Sequence, residues 1–152
     1  MVTFGIENPK NSSVEQYVLN MIEYFDLQGE ADIDISFIDK CDGHAGGYCW
    51  GDDEQVEIEI ATHVQGVALD FEKQMINLAH EMTHAKQIIT GQLVDHGIQI
   101  MQTGDCQSMV KVAEWEGQTM TNVLYDDQPW EIEAYAIEKE VFKACFPVGM
   151  TV

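Results

Sequence analysis

The chain contains no arginine. Its seven bases are all lysine, set against 27 acids, for a formal net charge of −20 over 152 residues. Binding to a nucleic-acid backbone needs a basic footprint, and none is present, so direct nucleic-acid binding is not expected. Association with an anionic membrane surface is disfavoured for the same reason. No apolar run approaches the roughly 20 residues of a transmembrane helix. The first residues, Met1-Val2-Thr3-Phe4-Gly5-Ile6-Glu7, lack the basic and apolar regions of a signal peptide. The expected setting is therefore cytoplasmic, with Cys41, Cys49, Cys106 and Cys145 reduced. Prolines are few (Pro9, Pro129 and Pro147), and there is no repeat or low-complexity linker, so residues 1–152 are read as a single domain. What is present is ordinary for a globular protein: 45% apolar and 22% charged residues exclude wholesale disorder. The acidic surface keeps copies apart and fits a cationic protein partner.

Periodicity predicts an α+β fold with a small mixed sheet and three principal helices. Ser12 and Ser13, with Glu15 or Gln16 completing a capping box, open a first helix whose apolar positions are Val14, Tyr17, Val18, Met21, Ile22 and Phe25. Ala31, Ile33, Ile35 and Phe37 alternate with polar residues, as in a half-buried strand. Residues 41–54, rich in glycine, are expected to be loop. Val56, Ile58 and Ile60 alternate with Glu57 and Glu59, which suggests an edge strand with an acidic outer face. A central helix runs from about Asp70, a plausible N-cap, to Thr90, with Gly91 after its last turn. Residues 92–108 read as loop. Strands at 109–115 and 118–122 form a hairpin turning at Glu116-Gly117, and Pro129 opens a closing helix over roughly 130–144.

The chemistry is concentrated in the central helix, at His80-Glu81-Met82-Thr83-His84, an H-E-x-x-H motif. Residues i and i+4 share one helix face, so both imidazoles can grip one metal ion. The intervening glutamate can reach water on that ion without being a ligand. At this composition about 0.016 such motifs are expected by chance, and this one falls inside a capped amphipathic helix, where the geometry requires it. Zinc suits the donor set, and a catalytic zinc takes three protein ligands and a water. The expected chemistry is that of a metal-activated water: zinc lowers the pKa of its water to about 7, with Glu81 in reach of it. The oxyanion donors on offer are Tyr135, Tyr125, His96 and His63.

The third ligand is sought in Pro129-Trp130-Glu131-Ile132-Glu133-Ala134, at the start of the closing helix. Glu131 and Glu133 lie about 200° apart on a helix, so only one can face the ion. Glu133 is favoured, because it neighbours the small Ala134 on the stripe Trp130, Ala134, Ile137 and Val141 expected to be buried; Glu131 is the alternative. LAHEMTHAKQIITGQL, the strands around WEGQ, and YDDQPWEIEAYA resemble the small zinc metallopeptidases encoded by bacteriophages, minimal gluzincin-type zincins. The resemblance covers roughly residues 55–140. It implies a zincin-like fold, one zinc ion per chain, His80, His84 and Glu133 as ligands, Glu81 as base, a peptide or protein substrate and, for a phage protein, the host cytoplasm. It also implies a substrate-aligning strand at 56–61, before the active helix. The choice between Glu131 and Glu133 stays open.

Two other readings compete. Cys41, His44 and Cys49, with Cys106, could hold a second, structural metal, but C-x2-H-x4-C is not a strong zinc spacing. The acidity also suits a decoy that mimics DNA, or a zinc-bound binding module without turnover; the first leaves the H-E-x-x-H unexplained. The methionines are read mostly as core packing, and Cys145 as part of the closing helix.

Overall fold

The computed structural model describes residues 1–147; the side chain of His44 lies outside the described part. Among the described residues the fold is α+β, with three α-helices. In chain order the elements are β1 (Thr3–Glu7), α1 (Ser13–Tyr24), β2 (Asp32–Ile38), β3 (Gly47–Gly51), β4 (Gln55–Ala61), the short β5 (His63–Val64) and β6 (Val67–Ala68), α2 (Phe71–Ile89), β7 (Leu93–Thr103), β8 (Cys106–Trp115), β9 (Gln118–Thr121) and α3 (Pro129–Cys145).

The main sheet is mixed, in the order β1-β2-β4-β3. β1, β2 and β4 run parallel, and β3 runs antiparallel to β4. Register aligns Ile33, Ile35 and Phe37 of β2 with Val56, Ile58 and Ile60 of β4, all buried. This face packs against Val14, Tyr17, Val18 and Met21 of α1 and Met75, Leu78 and Met82 of α2 in one core cluster. The Tyr17 hydroxyl donates to the Met75 carbonyl at 2.9 Å and ties the two helices together. The opposite face carries Asp32, Asp34, Glu57 and Glu59, half-buried, beside the exposed Tyr48 and Trp50 of β3. Among the described residues no helix is long and apolar enough to cross a membrane.

Several expectations are corrected. β4 is not an edge strand: it lies between β2 and β3. The edge is formed by β3, inside the stretch expected to be loop, after a single 3-10 turn at Asp42–His44. Glycine masks that strand in the sequence, and its role is steric. A Cβ at Gly46 would lie 2.5 Å from the Asn77 side chain, and one at Gly47 would lie 2.9 Å from Glu81 Cγ, so both positions let β3 approach α2 closely. Residues 92–108 are not loop either. They build most of a long antiparallel ribbon, β7 on β8, to which β9 adds a third strand by turning at Glu116-Gly117. The ribbon's far part exposes Ile98, Ile100, Met101 and Met109, so these methionines are not core.

The helix starts are mixed as well. Asp70 caps α2 by accepting from the Lys73 N–H, as expected. At α1 no capping box forms: Ser12 makes no side-chain cap, and the Ser13 N–H donates to Asn11 Oδ1 instead. α3 begins at Pro129, and its Ala134, Val141 and Cys145 are buried.

Candidate metal centre

α2 holds the H-E-x-x-H motif over the cleft. His80, Glu81 and His84 are all buried, an unusual placement for three polar side chains on one helix. The two imidazoles lie one turn apart and meet at their Nε2 atoms, 3.2 Å from each other. α3 crosses α2 and brings Glu131 between them. Its Oε1 is 2.9 Å from His80 Nε2 and its Oε2 3.0 Å from His84 Nε2. Among the described residues, His80, His84 and Glu131 are the group whose donor atoms converge as a metal site requires.

The donor set fits zinc. Two imidazole nitrogens and a carboxylate are suitable ligands, and tetrahedral donors on bonds of 2.0–2.1 Å stand about 3.3 Å apart, close to the separations found. Burial alone would raise the Glu131 pKa, but hydrogen bonds from His80 and His84 hold it well below the usual carboxylate range. Burial also opposes charge on His80 and His84; the Glu131 hydrogen bonds and the Glu81 charge outweigh it, and both pKa values are raised. The carboxylate and the two imidazoles hold one another by these hydrogen bonds; a metal ion would take the place of the protons on Nε2, because a ligating imidazole is neutral.

Glu133 is not in this cluster, which reverses the preferred assignment. Its Oε1 accepts from Lys86 Nζ at 3.3 Å and Gln87 Nε2 at 3.2 Å, and its Oε2 from Gln92 Nε2 at 3.2 Å. The reason is rotational. The buried stripe of α3 runs through Ala134 and Val141, and Glu131 and Glu133 flank it on opposite sides. α2's metal-facing side meets the Glu131 flank.

Glu81 lies beside the centre and lines the same cleft. Burial pushes its carboxyl up to about 7, against the pull of His84 and His80. The cleft, of about 400 Å³, runs from Gly47 and Cys49 of β3, past Glu81, His84 and Glu131, to Trp130. Tyr125 lines the same cleft; its hydroxyl donates to Glu131 Oε1 at 3.2 Å and shares a 2.8 Å hydrogen bond with the Tyr135 hydroxyl. Of the oxyanion donors considered, only these two tyrosines are near. His63 contacts Thr62 at 2.8 Å, and His96 pairs with Glu114 on the ribbon at 3.0 Å.

Two further site residues were not expected. His80 Nδ1 donates to Glu138 Oε2 at 2.8 Å, and His84 Nδ1 to Gln87 Oε1 at 2.8 Å. The spacing carries a signal for the first: Glu131, Tyr135 and Glu138 follow an i, i+4, i+7 pattern on one helix face. Of the second suggested centre, Cys41 is buried with its thiol near the Glu59 carbonyl, Cys49 is half-buried on β3 and Cys106 is exposed at the start of β8; the His44 side chain lies outside the described residues.

No protein-family model, no curated protein and no solved structure matches the chain.

Proposed function

We propose that the protein is a zinc-dependent metallopeptidase of the zincin kind, in which His80, His84 and Glu131 hold one zinc ion and Glu81 is the general base. The observation that carries this reading is the convergence of both motif histidines with an α3 carboxylate, beside a buried glutamate and an open cleft. A bound zinc ion would supply Lewis-acid chemistry, making water a nucleophile near neutral pH and polarising a carbonyl.

The chain's own residues supply the rest. Glu81 accepts the proton of the attacking water and delivers it to the leaving amine. The Tyr125 hydroxyl, already at Glu131, is a donor for the developing oxyanion. β3 is an edge strand with one side open, so an extended peptide can add to it as a further strand along the cleft. The substrate is then a peptide or protein, and the acidic surface favours a cationic one.

Metal analysis combined with hydrolysis of a denatured protein tests this. Wild type and Glu81→Gln should each carry one zinc per chain, and only wild type should cleave. Zinc-free protein would refute the centre. Equal cleavage by both would refute the role of Glu81. Zinc without cleavage in wild type would leave a binding module.

A further inference from the structure

Gln87 is fully buried although it is polar, and all three hydrogen bonds of its side chain lead to the metal centre or its supports. Its Nε2 is 3.0 Å from the Trp130 carbonyl oxygen and 3.2 Å from Glu133 Oε1. Both are acceptors, so the amide NH2 group must face them, and Oε1 must face the other way. On that side lies His84 Nδ1, at 2.8 Å. A flipped amide would set Oε1 against two acceptors. Since Oε1 can only accept, the imidazole carries its hydrogen on Nδ1, and the lone pair of the neutral ring falls on Nε2. Nε2 is the atom turned towards Glu131 and His80. Glu133 is itself fixed, by Lys86 and Gln92.

We infer that Gln87, held by Glu133 and the Trp130 carbonyl, is a positioning residue that locks His84 in the ligating tautomer and so sets the centre's metal affinity. This rests on reading His80, His84 and Glu131 as a zinc site. It gives Glu133 a place behind the ligands, through Gln87. It also adds a third coupling of α3 to the centre: besides Glu131 and Glu138, which meet His80, the helix acts through the amide that orients His84.

The test is zinc titration of the full chain against a competing chelator, alongside thermal unfolding of the zinc-free protein. Gln87→Met keeps the side chain's length and offers no strong acceptor; its zinc affinity should fall about 10–100-fold. Gln87→Glu keeps an acceptor for His84 but sets a carboxylate oxygen against Glu133 and the Trp130 carbonyl. It should unfold at lower temperature than Gln87→Met and yet hold zinc more tightly. In proton spectra of the zinc-loaded wild type, the His84 Nδ1–H should exchange slowly, and Gln87→Met should lose that protection. Gln87→Met binding zinc as tightly as wild type would overturn the inference, as would affinity that simply follows unfolding temperature across the variants. A wild type that binds no zinc would overturn the metal centre itself, whereas a zinc-binding wild type with an unaffected Gln87→Met removes only the role of Gln87.

Discussion

His80 is held between two carboxylates of the same helix: Glu131 meets its Nε2 at 2.9 Å, and Glu138 meets its Nδ1 at 2.8 Å. The two acids are seven residues apart, roughly two helical turns, so α3 grips the ring from both ends while Tyr135 packs on it edge-on, 4.5 Å between centroids. Glu138 fixes the ring's orientation and its tautomer, as outer partners of metal-bound histidines do. Glu138→Ala is expected to lower zinc affinity about 10–100-fold with the fold retained. Chelator competition with circular dichroism checks both; unchanged affinity would make this contact structural only.

Glu131 and Glu133 should behave as different kinds of residue. Glu131→Ala leaves two protein ligands and should drop zinc far below one equivalent after dialysis. Glu133→Ala should keep one equivalent at saturating zinc and show only weakened affinity. Elemental analysis of the two dialysed variants decides, and the reverse pattern would mean that α3 is rotated.

Gly47 gives Glu81 its space. A methyl group there would lie 2.9 Å from Glu81 Cγ and 3.2 Å from its Oε1 and the Glu59 carbonyl. Gly47→Ala should destabilise the fold by about 1–3 kcal/mol, the usual cost of overpacking. It should also displace the general base, so cleavage falls more than zinc content does. Retained full activity would show that β3 yields freely and that the close approach is not needed.

The fold should weaken in alkali. Burial raises the Cys41 and Cys145 thiols from their ordinary 9.0 to about 11, and raises the Tyr17 hydroxyl as well. In the unfolded chain these groups ionise at lower pH than in the folded one. The thiols' contribution is therefore complete below about pH 9 and is lost as pH rises towards about 11, and that of Tyr17 is lost only at higher pH. Thermal midpoints taken under reducing conditions across that range should fall, and less steeply in Cys145→Ala. A midpoint independent of pH there would contradict the assignment.

The readable parts of the sequence were those with one face in the core. Val14 to Met21, Ile33 to Phe37 and Val56 to Ile60 repeat with the period of their element because burial on one side selects apolar residues there, whereas Leu78 to Ala85 is buried all round, with His80, Glu81 and His84 at the metal centre. The H-E-x-x-H motif was readable for a related reason, since helix geometry alone brings His80 to His84. β3 and β7 were not. At β3, Gly46 just before the strand sits against Asn77 and Gly47 within it against Glu81, and these glycines erase the strand's pattern. In β7, only Leu93 is buried, so no face imposes a period. The third ligand depended on the rotation of α3 about its axis. Trp130, Ala134, Ile137 and Val141 indicate which stripe is buried, but not which flank of it meets α2.

The open face of the main sheet has a bearing on the solvent the protein needs. Asp34 and Glu57 are directly paired across β2 and β4, with Asp32 and Glu59 on the same face, and the strands there bear no lysine. Strands stand about 4.8 Å apart, and two like charges at that distance in water repel by about 0.9 kcal/mol. Dissolved cations are the counter-charge that the chain does not provide for this face. Added salt shortens the screening length from about 10 Å at 0.1 M to about 3 Å at 1 M, so it should raise the thermal midpoint rather than lower it, whereas a fold held by surface ion pairs would respond in the opposite sense.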